Sequence, residues 1–255
     1  MKALITGASS GIGRDMAEEL AKRGYNLILA ARRRDRLEEI SAELCKRYNI
    51  CCEVTEVDLA KSQNCYELYE NIKDKDIDIL INNAGFGIFG EIAETSNERE
   101  LELIDVNIKA LHLLTKMFIT DFSKKNGGYI MNVASIAGFM PGPKMACYYA
   151  SKNYVQSFTL AVYEELRQRE SNVKISCLCP GPVKTEFSEV AKVKFGIGSM
   201  TSEATARIAI RNMLRGKLII IPGIRNKLSV FMMKFVPRKI LLRVVSRMQS
   251  FKEKI

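Results

Sequence analysis

Residues 6–13 read Thr6-Gly7-Ala8-Ser9-Ser10-Gly11-Ile12-Gly13, between a short apolar run at 3–6 and an amphipathic segment at 12–24. The glycines occur in the order G-x-x-x-G-x-G. Glycine permits a tight turn from a strand into a helix, and it lets backbone N–H groups approach a pyrophosphate at the positive end of the helix dipole. A tight strand–helix connection without a ligand is the alternative, but no Gly-Lys-Ser/Thr follows to indicate a nucleoside triphosphate. The stretch therefore predicts a dinucleotide site at the first turn of the chain.

The rest of the chain alternates short apolar runs with longer amphipathic segments. Seven apolar runs are predicted as strands, at 3–6, 26–31, 52–57, 77–82, 128–133, 173–179 and 217–221. Six amphipathic segments are predicted as helices, at 12–24, 34–48, 61–74, 98–125, 146–170 and 202–215. Several runs are rich in Ile, Val and Leu on both faces, which is typical of strands buried between two helix layers. This alternation predicts one α/β domain over residues 1–223, with a parallel sheet and helices on both faces.

The net charge of +10, from 39 Lys and Arg against 29 Asp and Glu, is concentrated towards the end of the chain. Residues 1–206 hold 26 basic and 28 acidic side chains, a net of −2. Residues 207–255 hold 13 basic side chains and a single acidic one, Glu253, a net of +12. This distribution does not fit a uniformly basic nucleic-acid-binding protein, and residues 224–255 are predicted to form a basic amphipathic extension.

The cysteines and the hydropathy of the chain indicate in which cellular compartment the protein is expected. The seven cysteines are odd in number and form no Cys-x-x-Cys pair or Cys/His cluster, which indicates free thiols in a reducing compartment and no metal site. The first apolar run is too short for a signal peptide, and no clean apolar stretch of about 20 residues indicates a spanning helix. His112, the single histidine, supports neither a triad nor a metal site. A cytoplasmic protein is expected, with membrane association through the basic extension as an alternative.

The end of the second predicted strand carries the signal for the type of dinucleotide. It reads Ala30-Ala31-Arg32-Arg33-Arg34, where a site for NAD usually has an acidic residue that binds the ribose 2′-hydroxyl. Arg32 or Arg33 would instead pair with a 2′-phosphate, and no carboxylate would repel that phosphate. NADP(H) is therefore the predicted cofactor and NAD the less favoured one. A solvated basic helix start is the alternative.

A second group of residues could exchange a proton with a substrate. Tyr148 and Lys152 are four residues apart and share one face of a predicted helix, while Ser135 lies 13 residues before Tyr148, just past a predicted strand. The reference pKa of tyrosine is near 10, and a nearby ammonium or a positive nicotinamide ring is expected to lower it. Taken alone, Tyr-x-x-x-Lys is most often a helix-surface pair.

Together with further motifs in the same order along the chain, these residues resemble the single-domain form of the short-chain dehydrogenase/reductase family. The resemblance extends from Thr6 to about Thr185. The further motifs are Asp58-Leu59, Asn82-Asn83-Ala84-Gly85, Asn107, and Pro180-Gly181-Pro182-Val183 with Thr185. The resemblance implies a three-layer, doubly wound Rossmann-type sheet of seven parallel strands. It also implies hydride transfer between a nicotinamide and an alcohol or carbonyl.

The resemblance implies a catalytic role for four side chains. Tyr148 would be the general acid/base, Lys152 would modulate its pKa and hold the nicotinamide ribose, and Ser135 would orient the carbonyl. Asn107 would hold a water that links Lys152 to solvent, whereas a helix-interior Asn that bonds the backbone is the alternative.

The resemblance also implies a set of residues that bind the cofactor. These are Gly7, Ser9, Ser10, Gly11, Ile12, Gly13, Arg32, Arg33, Asp58, Asn82, Ala84, Gly85, Tyr148, Lys152, Pro180, Gly181, Val183 and Thr185. Asp58 would accept the adenine amino group or, equally, cap a helix. Asn82 and Gly85 would line the adenosine ribose and stabilise the sheet centre, and Thr185 would bond the carboxamide. Members that prefer NADP often carry a basic residue before the second glycine, where this chain has Ser10.

Apolar side chains after Thr185 and after the catalytic strands predict the substrate class. Residues 188–199 are predicted to form a substrate lid. The candidate pocket residues are Val190, Val193, Phe195, Ile197, Phe86, Phe89, Phe139 and Met140, with core packing as the alternative for each. An apolar pocket fits a lipophilic ketone, aldehyde or acyl chain. The predicted function is an NADP-dependent reductase of a ketone or aldehyde. The alternatives are a 3-oxoacyl thioester reductase and a non-catalytic nucleotide-binding sensor or scaffold.

Several roles are possible for the basic extension. Within 237–250, apolar residues recur at helical spacing beside four basic ones. Such a helix can lie on an anionic membrane surface, cap the substrate cleft or join subunits. Docking on the body or on a second subunit is favoured, and a homodimer or homotetramer is expected from the resemblance. No aromatic-stacking pattern accompanies the charge, so no nucleic-acid partner is expected.

Overall fold

A parallel sheet forms the centre of the molecule. The computed structural model describes residues 1–191 and 199–253. Within these residues the strands are, in chain order, β1 (Lys2–Thr6), β2 (Asn26–Ala31), β3 (Cys52–Glu56), β4 (Ile79–Asn82), β5 (Gly128–Val133), β6 (Val173–Leu178), β7 (Val183–Lys184), β8 (Met200–Thr201) and β9 (Ile219–Ile220). Seven of them pair in parallel in the order β3-β2-β1-β4-β5-β6-β9, and β7 pairs with β8 in a small second sheet. The prediction of seven parallel strands is confirmed.

Helices connect the strands and cover both faces of the sheet. They are α1 (Gly11–Ala21), α2 (Arg34–Tyr48), α3 (Ser62–Ile72), α4 (Asn97–Ile104), α5 (Leu111–Lys124), α6 (Ala146–Gln168), α7 (Phe187–Val190), α8 (Ser202–Met213), α9 (Ile224–Met233) and α10 (Arg238–Glu253). The predicted helix at 98–125 consists of α4 and α5 joined by a π-helical segment, Asp105–Ala110. A short 3-10 turn, Ile136–Phe139, follows β5.

Two buried apolar clusters, one on each face of the sheet, hold the three layers together. Ile5 of β1 packs with Leu20 of α1 and with side chains of α2 and α8. Its neighbour Leu4 faces the other way and packs with Leu68 of α3, Phe118 of α5 and side chains of α6. Successive side chains of a strand point to opposite faces, so a strand buried on both faces must be apolar at consecutive positions. Full burial of each such side chain contributes roughly 1.5–3 kcal/mol.

The order of the strands creates a crevice at one edge of the sheet. The chain runs outward from β1 through β2 to β3, then returns to the other side of β1 and continues from β4 to β9. The helices that follow β1 and β4 therefore leave towards opposite faces. In doubly wound sheets, ligands bind in the gap that this reversal opens at the carboxyl ends of the strands. The predicted glycine-rich loop lies there, directly after β1.

The C-terminal segment forms two helices that pack on the body. Val230 of α9 and Val245 of α10 are buried, and the Gln249 side-chain amide donates a 2.7 Å hydrogen bond to the Tyr149 hydroxyl. The division of the chain at residue 223 into a domain and an extension stays a prediction. None of the helices in the described ranges combines the length and the apolarity needed to cross a membrane.

Candidate active site

A cavity of about 810 Å³ opens at the carboxyl ends of β1, β4 and β5. One part of its wall is polar and contains the glycine-rich loop and the arginines that follow β2. The other part is apolar and contains side chains of α9 and α10. Ser135, Tyr148 and Lys152 line the wall as well, so one space joins the predicted dinucleotide site to the predicted catalytic residues.

Close backbone contacts explain the glycines of the loop. Gly7 has a φ of +64°, and a Cβ there would lie 2.8 Å from the Cα of Ala84. A Cβ on Gly13 would lie 2.3 Å from the Gly7 carbonyl oxygen. The Asn83 side-chain amide donates hydrogen bonds of 3.0 and 3.1 Å to the carbonyl oxygens of Thr6 and Gly7. The loop is thus clamped against the end of β4 by Asn83, to which the sequence assigns no separate role.

The polar part of the cavity fits a dinucleotide. Gly11 and Ile12, the first residues of α1, line the wall, so the positive end of this helix faces the space. The Ser10 side chain makes no hydrogen bond to the first turn of α1. Side chains at Gly7 or Gly13 would displace the loop, and their absence keeps its backbone close to the cavity. A pyrophosphate is the group that such a helix end binds.

Arg33 is held in place beside the glycine-rich loop. Its guanidinium donates a 3.1 Å hydrogen bond to the Ser9 hydroxyl and forms a 2.8 Å ion pair with Glu186. Partial burial opposes the ionisation of Glu186, but hydrogen bonds from Arg33 and Arg36 outweigh it and hold the pKa of this carboxyl below its usual value. Arg32 also lines the cavity and pairs with Glu102 at 3.0 Å. Both arginines therefore line the cavity and are paired with carboxylates, and their contact with a 2′-phosphate stays a prediction.

Asp58 lines the cavity after β3 and shapes the turn there. Its carboxylate accepts a 3.2 Å hydrogen bond from the backbone N–H of Ala60, and its carbonyl oxygen accepts a 2.9 Å bond from the Asn64 side chain. These bonds stabilise the turn before α3, but Asp58 does not cap that helix, whose N-cap residue is Lys61. Contact with an adenine stays a prediction.

Asn82 lies in the centre of the sheet and does not line the cavity. Its amide donates 3.0 Å hydrogen bonds to Thr115 of α5 and Asn132 of β5, and Asn132 donates in turn to Thr159 of α6. These buried bonds link two strands to two helices. The position of Asn82 therefore fits the predicted support of the sheet and not the predicted lining of the ribose site, whereas Gly85 does line the cavity.

Ser135, Tyr148 and Lys152 come together at the boundary between the polar and apolar parts of the cavity. The Ser135 hydroxyl donates a 3.3 Å hydrogen bond to the Pro180 carbonyl oxygen, and it lies close enough to the Tyr148 phenol to lower the pKa of that group. The Lys152 ammonium donates a 2.8 Å hydrogen bond to the Val133 carbonyl oxygen. Its nitrogen lies 5.9 Å from the centre of the Tyr148 ring.

Burial raises the pKa of Tyr148 and lowers the pKa of Lys152, and both shifts favour the neutral form of the group. Desolvation raises the pKa of Tyr148 to about 12, although the hydrogen bond from Ser135 acts in the opposite direction. Desolvation lowers the pKa of Lys152 to about 8, and the neighbouring Cys177 and Cys179 only partly offset this shift. The sequence predicts a lowered pKa for Tyr148. That prediction includes a bound nicotinamide ring; in the protein alone, loss of water outweighs the favourable contacts of the phenolate.

Asn107 supports the site from behind. It lies in the π-helical segment, where its side chain accepts a 3.0 Å hydrogen bond from the Phe86 N–H and donates to the Phe86 carbonyl and, at 3.1 Å, to Ser151. A Cβ on Gly85 would lie 2.9 Å from Asn107 Oδ1 and 3.4 Å from Lys152 Nζ. Gly85 thus lets Asn107 lie close to Lys152. Single π-helical turns of this kind are frequent at functional sites. The water link predicted for Asn107 stays a prediction.

The segment after β6 closes the cavity opposite the glycine-rich loop. Pro180, Gly181, Val183 and Thr185 all line it, as predicted. Thr185 packs over the loop, since a Cβ on Gly11 would lie 3.0 Å from its methyl carbon. Among the predicted site residues, those that do not line the cavity are Gly13, Asn82 and Asn107.

Only some of the predicted pocket residues line the apolar part of the cavity. Phe86, Met140 and Val190 line it. Phe89 packs in the cluster beside it, and Phe139 belongs to a different buried cluster. Val193, Phe195 and Ile197 lie outside the described residues. Wall residues that the sequence does not single out for the pocket are Met145, Phe187, Met232, Val236, Leu241, Val244 and Met248.

The chain is similar in sequence to known oxidoreductases. The family model described as short chain dehydrogenase matches residues 1–194. An uncharacterised oxidoreductase of Staphylococcus saprophyticus is 36% identical over 188 residues, which are 73% of this chain and 80% of that protein. A very-long-chain 3-oxoacyl-CoA reductase of Phaeosphaeria nodorum is 33% identical over 196 residues, or 74% of this chain. The chain spans 57% of the length of that relative.

Solved structures match over nearly the whole chain. A short-chain dehydrogenase from Sphingobium yanoikuyae in complex with NADPH has a TM-score of 0.83 at 28% identity, and the match covers 93% of this chain and 96% of that one. A short-chain dehydrogenase/reductase from Burkholderia phymatum in complex with NAD has a TM-score of 0.82 at 25% identity, with 90% and 91% covered. Proteins of similar structure thus bind either NADPH or NAD.

Proposed function

The chain belongs to the short-chain dehydrogenase/reductase family, whose members act on CH–OH and C=O groups, and from this premise we propose that it uses NADPH to reduce a ketone or aldehyde on a lipophilic substrate. The reverse oxidation of a secondary alcohol belongs to the same proposal. The observation that carries it is the position of Ser135, Tyr148 and Lys152 in a single cavity, between the site that fits a dinucleotide and the apolar wall.

The protein's own groups hold the substrate and supply a proton. When bound, NADPH supplies the hydride for the carbonyl carbon. Ser135 and Tyr148 both carry hydroxyl groups at this point of the wall, so both can hydrogen-bond the carbonyl oxygen. A pKa of about 12 keeps the Tyr148 phenol protonated at neutral pH, which is the form that donates a proton to the oxygen of a carbonyl under reduction. Lys152 lies behind the ring, and its ammonium would stabilise the phenolate that remains.

A carbonyl screen tests the proposed reaction. Purified protein with NADPH is incubated with aliphatic and aromatic ketones, aldehydes and 3-oxoacyl thioesters of increasing chain length, and NADPH oxidation is followed by its absorbance. The kcat/KM is expected to rise with the apolar size of the ketone, because larger substrates bury more surface against the apolar wall. Absence of turnover with every carbonyl class, in a protein that still binds NADPH, would support the non-catalytic sensor or scaffold instead.

The 3-oxoacyl thioester reductase remains the second candidate. The similarity to a very-long-chain 3-oxoacyl-CoA reductase favours it, as does a cavity whose apolar end could take an acyl chain. Thioesters in the same screen separate the two candidates. A kcat/KM for 3-oxoacyl thioesters well above that for simple ketones would favour the thioester reductase. We also propose that the chain acts as a homodimer or homotetramer in a reducing, cytoplasmic compartment.

Replacement of Arg33 by alanine should weaken the preference for NADPH. Ser9 and Glu186 hold the Arg33 guanidinium beside the loop, which supports a pairing with the 2′-phosphate of NADPH. A hydrogen bond to a charged group contributes about 1.5–3 kcal/mol, so the ratio of kcat/KM for NADPH to that for NADH should fall about tenfold or more. Steady-state kinetics with both dinucleotides measure this ratio.

Arg34→Ala is the matched control for Arg33→Ala. Arg34 is the next residue, and its side chain points into solvent and pairs with Glu38 at 2.7 Å. This variant should leave the NADPH to NADH ratio unchanged. A wild-type protein with the higher kcat/KM for NADH, or an Arg33→Ala variant with an unaltered ratio, would contradict the assignment of NADP.

A further inference from the structure

Two helices at the end of the described chain expose an unusual number of apolar side chains. We name the outer face of α9 and α10 the α9–α10 surface. Its apolar members are Ile224, Leu228, Phe231, Met232, Phe235, Ile240, Leu242, Val244 and Met248. Their exposed fractions range from 39% for Leu242 to 83% for Ile224. Scattered exposed apolar residues are normal in proteins, but a set this dense on two consecutive helices marks an interaction site.

The exposed apolar residues of α10 form a row of their own. Ile240, Val244 and Met248 are spaced four apart and therefore lie along one side of the helix. The adjacent row faces the body, where Val245 and Gln249 are buried. The exposed row is thus not the outer edge of a core stripe. It is a second apolar face, which borders the cavity at Val244 and Met248 and continues outside it at Ile240.

Positive charge flanks this apolar face. Seven exposed basic residues belong to the same segment, Arg225, Lys227, Lys234, Arg238, Lys239, Arg243 and Arg247. No aspartate or glutamate occurs between residues 224 and 252. In the described residues, none of the seven forms an ion pair with the body, although many other basic residues of the chain do. On α10, Lys239, Arg243 and Arg247 form a row directly beside the exposed apolar one.

The cavity reaches the exterior at this surface. Met232 of α9 and Val244 and Met248 of α10 line the cavity, yet they are 51%, 46% and 60% exposed. These side chains place α9 and α10 at the border of the apolar end of the cavity. We call this border, formed by apolar side chains of the two helices, the mouth.

We propose that the α9–α10 surface docks onto an anionic lipid bilayer and that the substrate enters the cavity from the bilayer through this mouth. A basic amphipathic helix binds such a surface by burying its apolar face at the acyl boundary while its cations reach the headgroups. Because the mouth lies within the docked surface, a lipophilic substrate passes from acyl chains to the apolar wall without crossing water. The entry route rests on the proposed function, whereas the docking does not.

Charge separates a bilayer from a second copy of the chain as the occupant of this surface. A two-fold interface brings the same patch of both subunits together, so it would place seven cations of one subunit against seven of the other. Such repulsion opposes pairing through this surface. An anionic bilayer gains about 1 kcal/mol for each basic residue near it. The charge therefore favours the lipid surface.

Co-sedimentation with vesicles tests the docking. The full chain with NADPH is mixed with vesicles of phosphatidylcholine, with or without phosphatidylglycerol, at low and at high salt. We expect binding to the anionic vesicles and weaker binding at high salt. A variant with Lys239→Gln, Arg243→Gln and Arg247→Gln should bind about a hundredfold more weakly, from the gain per basic residue. A variant with Phe231→Ser and Phe235→Ser should lose the binding that persists at high salt.

Matched variants control for overall charge and overall apolarity. Arg207→Gln with Arg211→Gln and Arg215→Gln removes three exposed cations at the same spacing from the segment that starts with α8, and it should bind like the wild type. Tyr66→Ser with Leu101→Ser removes two exposed apolar side chains elsewhere. Equal losses in the control and test variants would overturn the proposal. So would failure of the wild type to sediment with either vesicle, or a change in oligomeric state as the only effect of the test variants.

A kinetic comparison tests entry from the bilayer. A long-chain ketone presented in anionic vesicles should show a kcat/KM at least tenfold lower in the Lys239/Arg243/Arg247 variant, while a short water-soluble ketone should be reduced at the wild-type rate. An equal effect on both ketones would contradict the entry route. If the protein reduces no carbonyl at all, the proposed function fails, but the sedimentation result still decides the docking.

Discussion

Tyr148→Phe is expected to lower kcat for carbonyl reduction about 10²–10⁴-fold, which is the usual contribution of a positioned general acid. The variant removes only the hydroxyl that lies beside Ser135, and it keeps the ring that packs against Phe187 with ring centres 5.3 Å apart. NADPH affinity should therefore stay close to that of the wild type. Turnover under saturating substrate, together with NADPH binding followed by fluorescence, measures the two quantities separately.

Tyr154→Phe provides the control for the loss of a phenol. Tyr154 lies on the same helix, α6, but its hydroxyl is hydrogen-bonded to the His112 ring at 2.8 Å, away from the cavity. This variant should keep wild-type turnover. A Tyr148→Phe variant that retains more than about a tenth of the wild-type kcat would show that another group donates the proton.

The architecture could be predicted from the sequence because its signals are local. Residues 26–31 are apolar at nearly every position, and only a strand covered on both faces requires that pattern over so short a run. The π-helical segment could not be predicted in the same way. It interrupts a helix that is otherwise regular, and the contact made from it, between Asn107 and the backbone of Phe86, joins residues that are distant in sequence.

The polar part of the site could also be predicted from the sequence, because a glycine-rich loop needs particular residues at fixed spacing. Two properties of the site could not be predicted, because they depend on how distant segments pack. Asn82 and Asn83 are neighbours with similar side chains, yet one supports the sheet interior and the other clamps the loop. The pKa of Tyr148 follows from the amount of water the folded cavity excludes, and no residue spacing reveals that amount.

The distribution of charge acquires a structural meaning once α9 and α10 are placed. The near-neutral part of the chain forms the sheet, the dinucleotide site and the catalytic wall. The basic residues of 224–247 instead lie exposed on α9, on α10 and between them, the two helices whose apolar side chains line the end of the cavity. A single segment thus closes the cavity with its inner face and offers cations and apolar side chains to the exterior with its outer face. The charge thus bears on the proposed docking, and the proposed reaction rests on Ser135, Tyr148 and Lys152.

The kcat/KM for NADPH in carbonyl reduction should fall as the pH rises through about 8. This parameter reports the ionisation of the free protein, in which burial lowers the pKa of Lys152 from 10.5 to about 8. Above that pH the amine loses the charge that favours proton donation by Tyr148, so the value should fall about tenfold per pH unit. Tyr148 adds no decline in this range, because its pKa is about 12.

The contribution of Lys152 to stability rises over the pH range in which activity is expected to fall. A fall in activity caused by the titration of Lys152 can therefore be distinguished from unfolding. Between about pH 8 and 10.5, Lys152 is neutral in the folded chain and protonated in the unfolded one. The unfolded state therefore binds more protons, and the contribution of Lys152 to the free energy of unfolding rises with pH. A loss of activity caused by Lys152 should thus appear in a protein whose folded circular dichroism signal is unchanged.

Two substitutions at Lys152 complete the test. Lys152→Arg keeps a charge that does not titrate below about pH 12, so its kcat/KM, although lower in size, should stay level from pH 7 to 10. Lys152→Met has no ionisable group and should be weakly active at every pH, with no inflection near 8, even if arginine does not fit the buried site. An inflection near pH 8 that persists in the methionine variant would assign the titration to another group and remove Lys152 from the proton-transfer step.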